Sequence, residues 1–433
     1  MPRLRLQKLR PFVESGQLDM AIFDADRDDT MTLARSGVVL VPGTVKNPIC
    51  IVANYLFDSL LSDAFQVTPD GHIMEGLVSV GSNREEPNLL DPRIIKRMDN
   101  RWKYRNATED FYADEDGDEV HFKHVLQSYV DYSKQHQEGV SIIFPAGPLR
   151  AVRVLMRFSD NRALLISGDK GAVNKAQQRG LTDPYIDIHG SWSVNVNFDA
   201  IGTYFNSRGG FALHSPREDV DLHTSVFVLT GGQEDEAWTT EAVDRTSVER
   251  ARRFPRLSEA YRDAIVRSGP EQISDIYVWM RKGETKPPIS IIMALLQMGD
   301  WDPEVFSDFI TTFNKDYKSN DVMDRDLGRG LERVWENYYP LDEGDEEMAY
   351  WIGDIYMHID CERANWFFNK SLEVREGHNA LLNMGLCYQE MGDLHEALEH
   401  LSRAIKIKPG FKSAKRHRKA VLEELTNGRC SRS

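Results

Sequence analysis

Three polar side chains directly after one apolar run are placed to do chemistry. They are Asn54, Tyr55 and Asp58 in NPICIVANYLFDSLLSDAFQ, residues 47–66. The run at 48–53 is short and rich in branched residues, which suits a strand buried on both faces of a parallel sheet. From Tyr55 onward Leu56, Phe57, Leu60 and Leu61 recur at helical spacing. Asp58 then falls in the first turn, where a carboxylate suits the positive end of the dipole. In open α/β sheets ligands bind beyond the carboxyl ends of the strands, so these three residues are the first candidates for a site. An ordinary strand-to-helix turn is the competing reading. Asp24 ends a second strand-like run, QLDMAIFD at 17–24. There it could accept hydrogen bonds from a ligand's amine or hydroxyl, or cap a turn.

Other reactive-looking groups carry less. SGDKG at 167–171 follows the apolar ALLI but lacks the Gly-Lys-Ser/Thr of a phosphate-binding loop. Its glycines could still let a backbone approach a ligand. The acidic run at 114–119 fails as a calcium loop, because alignment on Gly117 puts Tyr112 at the first ligand position and Lys123 at the last. His189 and Ser191 suggest a hydrolase without an identifiable acid partner. Cys50, Cys361, Cys387 and Cys430 match no metal-ligand or disulfide framework, so reduced thiols and no metal are expected.

The elements that must hold these groups fall into two kinds. Residues 1–232 read as an α/β domain. Residues 64–82 should form a hairpin around Pro69, Asp70 and Gly71, and 82–120 a polar insertion with some helix near 92–104. Strands are expected at 140–144, 163–166, 211–214 and 224–230, with helices at 147–158 and 197–206. A linker at 233–248 follows, then degenerate helical repeats at 249–340 and tetratricopeptide repeats with a capping helix at 341–433. Leu381, Met384, Gly385, Tyr388, Ala397, Leu401, Ala404 and Pro409 fall on the eight signature positions of such a repeat. A weaker unit precedes it at Ala349, Ile352, Gly353, Tyr356, Ala364, Phe368 and Ser371. Arrays of this kind bury their faces only by stacking; they usually bind protein segments in a concave groove, and they can also serve only as structural extensions.

With 41% apolar and 28% charged residues the chain reads as globular, and its formal net charge of -15 excludes a general nucleic-acid binder. A local basic excess from Lys406 onward fits a solvated helix face or an acidic partner. No apolar run reaches the length of a membrane span and no secretory signal opens the chain. The expected setting is intracellular, the cytoplasm ahead of the mitochondrion, which the basic opening PRLRLQKLR would otherwise suggest.

The first 232 residues resemble the MidA-like family of S-adenosylmethionine-dependent methyltransferases, which includes complex I assembly-type protein arginine methyltransferases. The resemblance rests on Asn54, Phe57, Asp58 and Leu60 in ANYLFDSL, on ALLISGDKG, and on Val196, Asn197, Phe198, Ala200, Ile201 and Gly209. It implies a partial Rossmann-like methyltransferase sheet and S-adenosylmethionine as cofactor, with Asp24, Asn54 and Tyr55 on the cofactor side. Asn54 and Asp58 would orient a protein acceptor, Asp58 accepting its proton. The family's first strand and glycine-rich turn have no counterpart, since only Gly16 precedes Asp24, and Tyr55 replaces the family Glu. The sequence is thus expected to be a piece of a longer product or a form that no longer holds the cofactor in the usual way. The alternative function is a non-catalytic tetratricopeptide scaffold carrying a degenerate methyltransferase domain.

Overall fold

The computed structural model describes residues 9–82, 84–107, 111–113, 118–188, 192–215, 222–231, 240–266, 270–282, 288–316, 321–339 and 347–430. His189 and Ser191 lie outside them, as does most of the acidic run. The chain divides into two compact units, one spanning Lys8–Ile265 and the other running from Val266.

The first unit opens with the short helix α1 (Arg10–Glu14) and a two-residue antiparallel pair, β1 (Met31–Thr32) and β2 (Val39–Leu40). Residues 17–24, expected as a strand, have no strand structure, and Ile22 is 99% exposed. Their apolar side chains meet no sheet face that would hold them extended. The expected strand at 48–53 is β3 (Ile49–Asn54). The helix expected after it is only a 3₁₀ turn, Phe57–Ser59, because Leu60 returns to the extended region and β4 (Asp63–Val67) follows at once. Phe57 is buried but Leu56 and Leu61 are exposed, so the helical spacing of the leucines serves no buried stripe.

The hairpin at 64–82 is present, as β4 and β5 (Ile73–Ser82). The insertion is mainly a ribbon and not a loop: β6 (Met98–Asn106) pairs with β5 over its whole length, after a 3₁₀ turn at Pro92–Arg97. Met98, Asn100, Trp102 and Tyr104 alternate half-buried with exposed neighbours, a period of two hidden by polar composition. Then come α2 (Glu119–His136), β7 (Val140–Phe144), α3 (Ala146–Arg157) and β8 (Arg162–Ala172). A two-strand ribbon follows, β9 (Ile186–Ile188) with β10 (Trp192–Val194), and then β11 (Val196–Asn197), α4 (Phe198–Ser207), β12 (Phe211–Leu213) and β13 (Leu222–Thr230). Helices α5 (Thr240–Arg252) and α6 (Pro255–Val266) complete the unit. Part of the expected linker is therefore helical and packed on this unit, where Ser247 Oγ donates to Asn206 Oδ1 (2.8 Å), and beyond it Tyr261 Oη of α6 donates to the Thr224 carbonyl (2.7 Å).

Two sheets share the core. One is antiparallel, in the order β6-β5-β4-β7. In the other, β3 runs parallel to β8 from Ile49 opposite Ala163 to Asn54 opposite Gly168, and β11 continues along the same edge, parallel, at Gly171 and Ala172. The far edge of β8 pairs antiparallel with β13, and β12 lies outside β13. On one face Ala53, Ala163, Leu165, Phe227 and Leu229 pack with Phe198, Ile201 and Phe205 of α4. The opposite face is covered by Ala251, Leu257 and Tyr261, which pack with Leu164, Ile166, Val226 and Val228. Cys50 and Val52, on that same face of β3, stay exposed, Val52 at 72%. Among the described residues no strand pairs with the other edge of β3.

The described residues of the second unit form helices and no strand: α7 (Pro270–Arg281), α8 (Ile289–Met298), α9 (Pro303–Asp316), α10 (Asp321–Asn337), α11 (Glu347–Tyr356), α12 (Cys361–Val374), α13 (His378–Glu390), α14 (Leu394–Ile407) and α15 (Lys412–Cys430). One core runs from Ile273 to Cys387 through Phe306, Leu331, Ile352 and Phe368. A second core joins α13, α14 and α15 through Leu381, Leu401, Ala404, Ala414 and Val421. Small residues set the spacing: a Cβ on Gly353 would lie 2.9 Å from the Phe368 ring, and one on Gly385 2.6 Å from Leu401 Cγ. The two helix pairs, α11 with α12 and α13 with α14, are thus built on the same device. Asp360 and Asp393 cap α12 and α14 by accepting from the amides of Arg363 and Glu396.

Candidate functional site

The carboxyl end of β3, beside Gly168 and Asp169 of β8, brings together most of the residues singled out by sequence. Asn54 is exposed, with its side chain over Gly168: a Cβ there would sit 2.8 Å from Asn54 Oδ1. Tyr55 takes a left-handed conformation (φ 49°), rare for a bulky residue, and its amide donates to the Gly168 carbonyl at 3.0 Å. That hydrogen bond turns the chain out of the sheet and starts the 3₁₀ turn that carries Asp58. Asp24 is held elsewhere, in its own turn. Its carboxylate accepts from the Asp26 amide (3.1 Å) and its own amide donates to Asp28 Oδ2 (2.7 Å), which is the capping role.

The residue that sequence reading missed is Asp169. It is 1% exposed and faces the core in register with Leu165 and Ser167, one strand from Asn54. The Lys170 amide donates to its Oδ1 at 2.9 Å, while Oδ2 is buried without a hydrogen-bond partner. Burial, with the nearby Asp58 charge, raises its carboxyl to about 6, against partial relief from the Lys170 amide. The clue lay in the alternation of ALLISGD, which puts the carboxylate on the inward face of Ala163 and Leu165. Across the strand pair His223 stands opposite Asp169 and Ser225 opposite Ser167. His214 shares a hydrogen bond with Ser225 Oγ (3.0 Å), and burial lowers its imidazole to about 4, so it is neutral at pH 7. This buried polar strip has no signal in local sequence, since the topology alone unites its members.

A second network anchors the start of α4. Asn197 Oδ1 accepts from the Ala200 amide, Tyr129 Oη and Gln178 Nε2, each at 3.0–3.1 Å, and its Nδ2 donates to the Ile143 carbonyl (3.2 Å). Tyr129 Oη also bonds Asp199, which Lys175 pairs at 2.9 Å. A cavity of about 250 Å³ opens beside it, lined by Ile143, Gln178, Thr182, Tyr185 and Asn197.

The glycines of SGDKG do not form a ligand cradle. They lie inside β8, where Gly168 is covered by Asn54, and a Cβ on Gly171 would lie 2.0 Å from the Val196 carbonyl oxygen. Among the described residues no cluster of three or more His, Cys, Asp or Glu could hold a metal, and no helix is long and apolar enough to cross a membrane.

Asp169 yields a pH prediction. Its folded value lies above the ordinary 3.8, so the cost of its charge builds as pH rises from about 3.8, is complete above about 6, and is absent below about 3.8. Asp169→Asn should therefore be more stable than the parent at pH 7.5, by on the order of 2 kcal/mol, with the difference closing between pH 6 and 4. His214 acts in the opposite sense, its contribution present above about 6.5 and lost as pH falls toward 4, but it is common to both proteins. Denaturant titrations at several pH values check this, and a variant less stable at pH 7.5 would contradict it.

In the second unit the first helices of successive pairs stand side by side. Asn383 Nδ2 on α13 donates to Asp354 Oδ1 on α11 (2.8 Å), and Gln389 Nε2 donates to Glu424 on α15 (3.3 Å). Burial raises the Asp354 carboxyl. A cavity of about 260 Å³ at one end of this row is lined by Tyr350, Trp351, Ser371, Arg375, His378 and Asn379.

Comparison with known proteins bears on this unit. The tetratricopeptide repeat family matches residues 378–411, which form such a repeat. No curated protein matches the chain. Among solved structures, MamA is similar at 20% identity over 32% of this chain and 86% of its own, with a TM-score of 0.23. YrrB, described as a TPR protein with an unusual peptide-binding site, is similar at 14% over 36% of this chain and 75% of its own, with a TM-score of 0.27. The Cut9–Hcn1 hetero-tetramer of APC/C matches at 14% over 30% of this chain and 25% of its own, with a TM-score of 0.25.

Proposed function

We propose that the protein is an adaptor that takes hold of a protein segment along the row formed by α11, α13 and α15, with the α/β unit as its platform. The observation that carries this reading is the repeated helix pair. Gly353 against Phe368 and Gly385 against Leu401 place two units in succession, and their first helices present Tyr350, Asp354, Asn379 and Asn383 on one side. Stacked pairs of this kind leave an extended concave surface for a partner. Pull-downs from a cell lysate test it. Tyr350→Ala combined with Asn379→Ala should reduce recovery of partners at least tenfold, while Asp58→Ala leaves it unchanged. The reverse pattern would sink the adaptor reading.

A second reading is favoured by the sheet order β3-β8-β13-β12, with one parallel and two antiparallel contacts, and by the carboxylates gathered where β3 and β8 end. It is a methyltransferase-like unit in which Asn54 and Asp58 face the acceptor, and Asp24, Asn54 and Tyr55 face S-adenosylmethionine. The described residues do not fit that cofactor well. Gly168 and Gly171 are taken up by Asn54 and Val196, and Asp24 is engaged in its own turn. Calorimetric titration with S-adenosylmethionine separates the readings: heat of binding lost in Asn54→Ala would favour the second, and a flat titration the first.

A further inference from the structure

A groove of about 510 Å³ lies between α5 and α6. Val248, Ala251 and Arg252 line it from α5, Glu259 and Arg262 from α6, and Leu213 from β12. Helical spacing gathers them, since 248, 251 and 252 share one face of α5, as 255, 258, 259 and 262 share one face of α6. The inner side of the groove is tied down. Ala251 packs with Val226 and Val228, and the half-buried Arg250 donates to the carbonyls of Asn206 (3.4 Å) and Gly210 (3.2 Å). The outer side is open: Val248 is 54% exposed, and Arg252, Arg253, Arg256 and Arg262 are all exposed. Among the described residues none of these four arginines pairs with a carboxylate. From Arg250 to Arg256 the sequence has four arginines and no acid, in a chain whose formal net charge is -15.

We propose that this groove docks an acidic segment of a partner protein, with carboxylates on either side of an apolar side chain. Charge complementarity carries the choice of occupant. The basic groups at the rim are all arginines, whose planar forks pair with carboxylates through two parallel hydrogen bonds. Leu213, Val248 and Ala251 offer the apolar side chain a dry seat between those charges. A nucleic acid fits less well. The lining holds no aromatic ring for a base to stack on, and the acidic chain repels a long polyanion. Glu259 is the acid in the lining, so it opposes such an occupant and fixes the sign of one substitution. The groove lies within the Lys8–Ile265 unit and does not depend on the adaptor reading of the helical repeats.

The test selects a displayed random-peptide library on the full chain and then titrates the enriched peptide by fluorescence anisotropy. Enriched peptides should be acidic, with Leu, Ile or Phe between the acids. Arg252→Ala combined with Arg262→Ala should weaken binding about tenfold. Val248→Asp should weaken it as well, by setting a carboxylate where the apolar side chain sits, and Glu259→Gln should tighten it. All four positions are exposed, so these variants should melt with the parent. Arg101→Ala combined with Lys103→Ala removes the same charge from exposed positions of β6 and should leave binding unchanged. An equal loss in that control shows only general attraction between charges and overturns the proposal. So does a loss in Tyr350→Ala combined with Asn379→Ala, which puts the peptide on the helical repeats instead. Enrichment of no acidic peptide also overturns it. In that case a single-stranded oligonucleotide or phosphatidylserine vesicles, if released by the double arginine variant, identify the occupant as nucleic acid or membrane.

Discussion

Gly171→Ala should unfold most of the Lys8–Ile265 unit at temperatures where the parent is intact. The new methyl would lie 2.0 Å from the Val196 carbonyl oxygen and 2.8 Å from its carbon, both backbone atoms that no rotamer change can move aside. The contact is the point where β11 joins β8, with Val196 opposite Gly171 and Asn197 opposite Ala172. Relieving it pushes Asn197 away from the Ile143 carbonyl, Tyr129 and Gln178, and with it the cap of α4. Overpacking alone costs about 1–3 kcal/mol, and each buried polar group left unpaired adds about 1–3 more. The expected loss is about 4 kcal/mol or greater, out of a total typically between about 5 and 15. Denaturant titration with a probe in each unit checks it, and a loss below about 1 kcal/mol would mean that β11 yields freely.

Phe368→Ala should have a comparable effect in the second unit. The ring is fully buried, packs edge-tilted 5.9 Å from Tyr350, and fills the space that Gly353 leaves between α11 and α12. Truncating a buried phenylalanine costs about 3–5 kcal/mol, partly as lost burial and partly as the cavity left behind. Because each helix pair is stable mainly through its neighbours, the loss should pass to α13 and α14. Far-UV circular dichroism should show the helical transition moving to lower denaturant while the sheet's transition stays put. A shift confined to α11 and α12 in hydrogen exchange would show instead that the pairs are uncoupled.

The helical half was legible in sequence because its signal is a spacing. Gly385 and Leu401, or Gly353 and Phe368, are recognisable before any contact is known, since only one helix-pair geometry uses a small residue and a large one at those offsets. The strands β3, β7, β12 and β13 were legible as apolar runs. What failed were segments whose conformation is decided by partners far along the chain. Leu56, Leu60 and Leu61 look helical, yet Asp63 must turn back to pair with Phe144. Trp102 and Tyr104 sit in a polar stretch, yet Val78 and Gly76 lie opposite them. The α2 stripe Phe122, Val125, Leu126, Tyr129 and Val130 was there to be read at helical spacing. At the candidate site, the placement of Asn54, Tyr55 and Asp58 just after β3 was legible from position alone. Asp169, His214 and His223 needed the register of β8 with β13.

One edge of the sheet also governs how the molecule behaves in company. Every second residue of β3, Cys50, Val52 and Asn54, directs its backbone amide and carbonyl away from β8, and ICIVAN contains no charge to repel a visitor. The formal net charge of -15 keeps molecules apart only out to the screening length, about 8 Å at physiological salt. Inside that distance two such edges can zip together without shedding a single ion. An open edge of this kind is expected to make self-association rise with protein concentration and with added salt, and sedimentation at several salt concentrations checks it.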